Sequence, residues 1–231
     1  MSIADNLRRV QERIANAAEA TGRRASEVTL VGVTKYVGVA KAAELARAGC
    51  PNLGESRPQE LWSKTDDLAA LDGTIVPEIK WHLVGHLQRN KLRRTLPLVS
   101  LIHSVDSERL LDAIDAEWQT QTATSPEPAA PIRVLVEVNT SGEAAKHGLA
   151  PDDVEPLLAA AGRFPRVEIC GLMTMAALEG GLEVAARNFA ALRQLRDRLH
   201  LKELSMGMSG DFEVAIREGA TIVRVGSALW E

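Results

Sequence analysis

Apolar residues recur along this chain with two periods that take turns. Ile3, Leu7, Val10 and Ile14 fall at helical spacing, Ala17 and Ala18 extend the same face, and Thr21-Gly22 ends it. Val28-Thr29-Leu30-Val31-Gly32-Val33 is then a short β-branched run, the pattern of a buried strand. A helix is predicted over Val39–Ala48, stopped by Gly49 and Pro51. A brief strand at Asn52–Gly54 precedes a helix over Pro58–Ala70. Strand Ile79–Val84 leads into a short basic helix, Gln88–Leu96. Strand Ser100–Ser104 leads into a helix over Ser107–Trp118, capped by Ser107. Thr120–Pro131, rich in Thr, Ala and Pro, reads as a flexible loop, and Ile132–Val138 is the clearest strand. Asp152–Gly162, Val167–Leu172, Leu182–Leu199, Glu203–Ser205, Phe212–Glu218 and Thr221–Val225 continue the alternation.

Strictly alternating strand and helix units imply a parallel sheet. Eight of them behind one leading helix imply an α/β fold: a single (β/α)8 TIM-type barrel over residues 1–231 with a leading N-terminal helix. Such barrels typically take about 250 residues, so this one is compact. The alternative is an open doubly wound sheet, but neither GxGxxG nor GxxxxGK[ST] is present to support its nucleotide-binding versions. Asn52–Gly54 and Glu203–Ser205 are the weak strands on which the barrel depends.

Composition narrows the function classes. Hydrophobic residues make up 45% and charged residues 25%, as in an ordinary globular protein. The formal net charge of −4 gives no general reason to bind nucleic acid or an anionic membrane. No apolar run is long enough to span a bilayer, and charges at Asp5, Arg8, Arg9, Glu12 and Arg13 interrupt any signal-peptide core. Cys50 and Cys170 are far apart and in no metal spacing, which fits a reducing cytoplasm. The five histidines show no metal triad and HExxH is absent, so no metal is expected.

In such barrels function sits at the C-terminal strand ends, often with a phosphate behind strands seven and eight. Strand one runs into Thr34-Lys35-Tyr36. A lysine there would enter the barrel mouth, where partial desolvation would free its amine to attack a carbonyl. A plain surface lysine is the other reading. Strand seven runs into Ser205-Met206-Gly207-Met208-Ser209-Gly210-Asp211, where glycines permit close backbone approach and Ser209 either contacts an anion or caps the next helix. Strand eight ends in Arg224-Val225-Gly226-Ser227, a second turn compatible with an anion. Of Trp81 and His82 one must point inward, and a satisfied core histidine is the favoured reading. Arg89-Asn90-Lys91-Leu92-Arg93-Arg94 reads as a solvated basic face.

With these motifs placed, the sequence resembles the pyridoxal phosphate homeostasis proteins, a family related to the N-terminal barrel domain of alanine racemase. The resemblance rests on Val33-Thr34-Lys35, Gly54-Glu55 with Gln59-Glu60, Trp81-His82 with Gly85, Leu87-Gln88-Arg89-Asn90-Lys91, Val138-Asn139, Lys146 with Gly148, Gly171-Leu172-Met173, Ser205 through Ser209 with Asp211, and Arg224-Val225-Gly226. It implies that Lys35 carries pyridoxal 5′-phosphate (PLP) as an internal aldimine. It also implies that Ser209, Gly226 and Ser227 hold the phosphate, that Arg224 faces the pyridine nitrogen, and that Asn139 and Met173 line the cofactor. Where many members read Gly-Glu-Asn-Tyr, this chain has Gly54-Glu55-Ser56-Arg57, so a ring-side amide becomes a shorter hydroxyl.

An arginine at the pyridine nitrogen disfavours protonation there and makes the ring a poorer electron sink. Racemases of this kind compensate with a second base from an additional domain, for which few residues follow strand eight. The expectation is therefore a PLP-binding protein of vitamin B6 homeostasis and supply, with no catalytic residue assigned. Recipients would be PLP-dependent apo-enzymes, and a cytoplasmic monomer is expected, with neither nucleic acid nor membrane as partner. The alternatives are a low-activity amino-acid racemase and a cofactor-free Lys35 Schiff-base aldolase. A carrier would be coloured without turnover, a racemase would erode optical purity, and an aldolase would be colourless.

Overall fold

The computed structural model describes residues 2–70, 78–125 and 127–231. Eight parallel strands close into a barrel in sequence order: β1 (Thr29–Val33), β2 (Asn52–Glu55), β3 (Lys80–Leu83), β4 (Val99–Val105), β5 (Ile132–Glu137), β6 (Val167–Met173), β7 (Glu203–Ser205) and β8 (Ile222–Val225). Closure is made by β1 on β8, with Leu30 opposite Val223 and Gly32 opposite Val225. Both weak strands are present. β2 pairs along its whole length with β3, and β7 pairs with β6 from Gly171–Glu203 to Met173–Ser205.

The helices are α1 (Ile3–Glu19), α2 (Val39–Arg47), α3 (Pro58–Ala69), α4 (Leu92–Thr95), α5 (Glu108–Thr122), α6 (Val154–Ala160), α7 (Gly181–Arg198), α8 (Phe212–Arg217) and α9 (Ser227–Trp230). The leading helix α1 buries Ile3, Leu7, Val10, Ile14, Ala17 and Ala18 against α2, α8 and α9. Each large apolar side chain buried there contributes about 1.5–3 kcal/mol. Two polar contacts fix its position: Asn6 donates to the Leu229 carbonyl at 3.1 Å, and Arg13 grips the Glu213 carboxylate at 2.9 and 3.1 Å.

Three predicted elements differ from the structure. The basic helix over Gln88–Leu96 is only the single turn of α4, flanked by 3-10 turns at Arg89–Lys91 and Leu96–Leu98, and Pro97 has no amide with which to prolong it. The helix over Asp152–Gly162 is likewise shortened to α6 between 3-10 turns. The loop over Thr120–Pro131, whose residue 126 lies outside the described residues, begins later than expected because α5 continues through Thr122. There the hydroxyls of Thr120 and Thr122 bond back to the Ala116 and Trp118 carbonyls, and the Trp118 indole donates to the Ala130 carbonyl at 2.9 Å.

Alternation along the strands sorts side chains between two cores. Outside the sheet, under the helices, lies the larger core, including Leu53, Leu83, Ile102, Val134, Val136 and Leu172. Inside the barrel, Val31, Leu101, Leu135, Met173 and Ile222 form a smaller apolar layer. Below that layer, at the N-terminal floor, Thr29, Asn52, Lys80, Arg133 and Glu203 line a polar hollow.

Candidate functional site

Above the apolar layer, the C-terminal strand ends enclose a cavity of ≈ 520 Å³. Lys35 and Tyr36 come from the loop after β1, Ser56 follows β2, Gly85 and His86 follow β3, and Glu137 ends β5. Ser209 and Gly210 follow β7, Arg224 is on β8, and Gly226 and Ser227 follow it. Gly85 is required by close approach, since a Cβ there would sit 2.2 Å from the Ser56 carbonyl oxygen.

Lys35 has a fixed root and a free end. The preceding residue, Thr34, is fully buried; its hydroxyl donates to Glu55, and its carbonyl accepts from Lys64 Nζ at 2.7 Å. Glu55 and Lys64 form a buried ion pair behind it, with Glu55 Oε2 left without a hydrogen-bond partner. The Lys35 side chain itself is exposed, with its ammonium 4.7 Å from the Tyr36 ring centroid. The partial desolvation expected for it is not seen among the described residues, where both Lys35 and Tyr36 are exposed.

The two turns behind β7 and β8 are joined. Ser209 Oγ accepts from the Gly226 amide at 3.1 Å, and Asp211 rather than Ser209 occupies the N-cap position of α8. Gly207 makes the turn possible: its φ is +91°, and a Cβ would lie 2.5 Å from that of Ala215. The amides of Ser209, Gly210 and Ser227 donate to no acceptor among the described residues. Free donors on two linked turns suit an anion.

Arg224 is buried. Its two terminal nitrogens donate to Ser205 Oγ at 2.6 Å and to the Thr174 carbonyl at 3.0 Å. Burial pulls the guanidinium down to about 10, offset by the Asp211 and Glu137 charges, so it is cationic at neutral pH. Neutral atoms are its only hydrogen-bond partners among the described residues, so the cavity holds an under-compensated positive charge. Glu137 is buried at the same wall; desolvation, and then the charge of Asp106, raise its carboxyl above the ordinary range.

Below Arg224, polar groups continue toward the floor. Ser205 Oγ is 2.8 Å from His103 Nδ1, His103 Nε2 is 2.9 Å from His82 Nδ1, and His82 Nε2 is 3.3 Å from Asn52 Oδ1. His82 is thus the inward member of its pair and a hydrogen-bonded core histidine, while Trp81 packs outward into the larger core. Burial lowers His82 to about 4, helped by Arg133 and Lys80, and holds His103 well below its ordinary value.

Lys35, Ser209, Arg224, Gly226 and Ser227, expected from the sequence, all face the one cavity. Asn139 stands aside, holding its own loop: its carbonyl oxygen accepts from Ser141 and Gly142, and its amide donates to the Glu143 carbonyl. Met173 lies in the apolar layer below, and Met175, two residues on, lines the cavity instead. Glu137, His86, His147 and Trp230 also face it. Glu137 had a sequence signal, an acid at the C-terminal end of β5 in the inward phase of Leu135. The fold also gathers His86, Asp106 and His147 at the rim, a grouping invisible in their spacing. The His86–Asp106 separation of 4.0 Å exceeds the roughly 3.4 Å edge of a tetrahedral site with zinc bonds near 2.0–2.1 Å.

Comparison with known proteins agrees with this fold. The alanine racemase N-terminal domain family matches residues 3–231. The pyridoxal phosphate homeostasis protein of Aquifex aeolicus is 38% identical over 100% of this chain and 98% of its own. The chain belongs to the pyridoxal phosphate homeostasis protein family. Among solved structures, PipY of Synechococcus elongatus with PLP bound superposes with a TM-score of 0.82 at 30% identity, covering 100% of both chains. A protein from Bifidobacterium adolescentis superposes at 0.87 with 37% identity, over 98% of this chain and 94% of that one. Among the described residues no helix is long and apolar enough to cross a membrane.

Proposed function

We propose that the cavity binds PLP, with Lys35 linked to its aldehyde as a Schiff base, and that the protein holds the cofactor for supply rather than catalysis. The observation that carries this reading is the convergence of Lys35, the joined Ser209 and Gly226-Ser227 turns, and Arg224 on one cavity of ≈ 520 Å³. The group fits the residues present. Free turn amides and the Ser209 and Ser227 hydroxyls suit a phosphate, and Arg224 supplies a fixed cation with no contacting carboxylate among the described residues. A relative 30% identical over the full chain binds PLP.

Bound PLP supplies an electrophilic aldehyde and a conjugated ring. Arg224 donates and cannot readily accept, so against a ring nitrogen it would keep that nitrogen unprotonated and would restrain carbanion chemistry. The exposed Lys35 amine is open to exchange with other amines, which suits a protein that hands its cargo on. PLP-dependent apo-enzymes are the proposed recipients, and a cytoplasmic monomer is the proposed state. Two buried free cysteines suit a reducing compartment.

The test is a visible spectrum of the purified protein before and after adding PLP, followed by borohydride reduction and peptide mapping. A yellow protein carrying pyridoxyl on Lys35 is expected, with no loss of optical purity in a panel of amino acids. A protein that stays colourless with excess PLP overturns the reading, and measurable racemisation replaces the carrier with a racemase.

A further inference from the structure

We propose that Ser205, His103 and His82 are positioning residues: a one-way hydrogen-bond chain that starts at the barrel floor and holds Arg224 charged and fixed against the cofactor cavity. The proposal rests on the PLP reading of that cavity. Four links join five side chains, from Arg224 through Ser205, His103 and His82 to Asn52, at 2.6, 2.8, 2.9 and 3.3 Å. Ser205 and His103 are fully buried, and His82 and Arg224 are each 5% exposed.

The direction of the chain is set at both ends. A guanidinium only donates, so Ser205 Oγ accepts from Arg224. At the floor the Asn52 carbonyl oxygen only accepts, so His82 Nε2 carries a proton. A neutral His82 then presents a bare Nδ1, which His103 fills from Nε2–H. His103 Nδ1 is in turn bare, and only the Ser205 hydroxyl proton can fill it. Every donor and acceptor between the ends is satisfied in this arrangement and in no other with two neutral rings. Lys80 and Arg133 oppose an added proton on His82, and Arg224 opposes one on His103, while Glu203 is the one carboxylate lining the same floor among the described residues.

Ser205 therefore offers Arg224 a lone pair that is polarised and cannot rotate away. The Thr174 carbonyl fixes the second nitrogen, which leaves the guanidinium one orientation toward the cavity. A buried hydrogen bond to a charged group is strong enough to decide that orientation.

Two measurements test the proposal. Imidazole 15N spectra of the PLP-free protein at neutral pH are expected to show His82 and His103 both neutral with the proton on Nε2. A proton on Nδ1 of either ring, or an imidazolium, overturns the direction. Separately, PLP is titrated into wild type, Ser205→Ala and Ser205→Thr. Ser205→Ala is expected to shift the lysine-linked absorption band and weaken affinity about 10-fold, a loss of about 1.4 kcal/mol. Ser205→Thr restores the hydroxyl and is expected to recover the wild-type band. An alanine variant with wild-type band and affinity overturns the positioning role. A wild type that gives no band overturns the PLP reading itself, while the ring tautomers, read without PLP, still decide the chain.

Discussion

Lys35 and Arg224 face the same cavity under opposite physical conditions. Arg224 is buried, doubly hydrogen-bonded and backed by a polar chain through the barrel. Lys35 is exposed at its tip, and only its backbone root is held, through Thr34 and the Glu55–Lys64 pair. A rigid cation grips and orients a ligand, because no entropy is lost in ordering it on binding. A free amine can reach an incoming aldehyde and let it go again. The contrast fits retention and release at one site better than committed chemistry.

The largest expected effect breaks the contrast at its mobile side. Lys35→Ala should abolish borohydride-fixed pyridoxyl altogether, as read by intact mass and peptide mapping. Retention of a pyridoxyl group at another single lysine would displace Lys35 from its role.

Next comes the root beneath it. Lys64→Met leaves Glu55 charged, buried and unpaired, so denaturant unfolding should show a loss of about 3–5 kcal/mol. A loss below about 1 kcal/mol would mean that the pair does not clamp Thr34.

The rigid side should reveal itself through pH. His82 has its folded value lowered to about 4. Between the ordinary histidine range and that value, the unfolded chain binds a proton that the native one refuses. The stability contributed by the neutral ring is therefore complete above the unfolded value near 6.5 and is lost as pH falls toward 4. The loss should reach roughly 3 kcal/mol from this ring alone, and His103, also lowered, adds in the same direction. Thermal unfolding between pH 7 and 4 checks this, and His82→Gln should flatten the slope.

The smallest effects divide the anion turns from the cation. Ser209→Ala removes the tie to the Gly226 amide and should weaken PLP affinity several-fold with little change of spectrum. Arg224→Ala should alter the spectrum more than retention. The reverse pattern in a cofactor titration would exchange their roles.

The sequence by itself determined the barrel and much of its mouth. The alternation of strand and helix periods survives at every unit, because each strand must bury both faces and each helix one. The turns behind β7 and β8 were legible too, since Gly207 marks backbone that a side chain would obstruct, and Lys35 was legible as a cation at the end of an apolar run. What only the tertiary structure decided is which side chains meet. Met173 ends β6 and Met175 lies two residues beyond it, yet the barrel's depth puts one in the apolar layer and the other on the cavity. His82 and His103 come from neighbouring strands and Ser205 from across the barrel, so no local spacing relates them. Closure of the sheet brings them into hydrogen-bond range. Burial then sets their protonation, because desolvation depends on the whole surrounding shell rather than on any residue's neighbours in the chain.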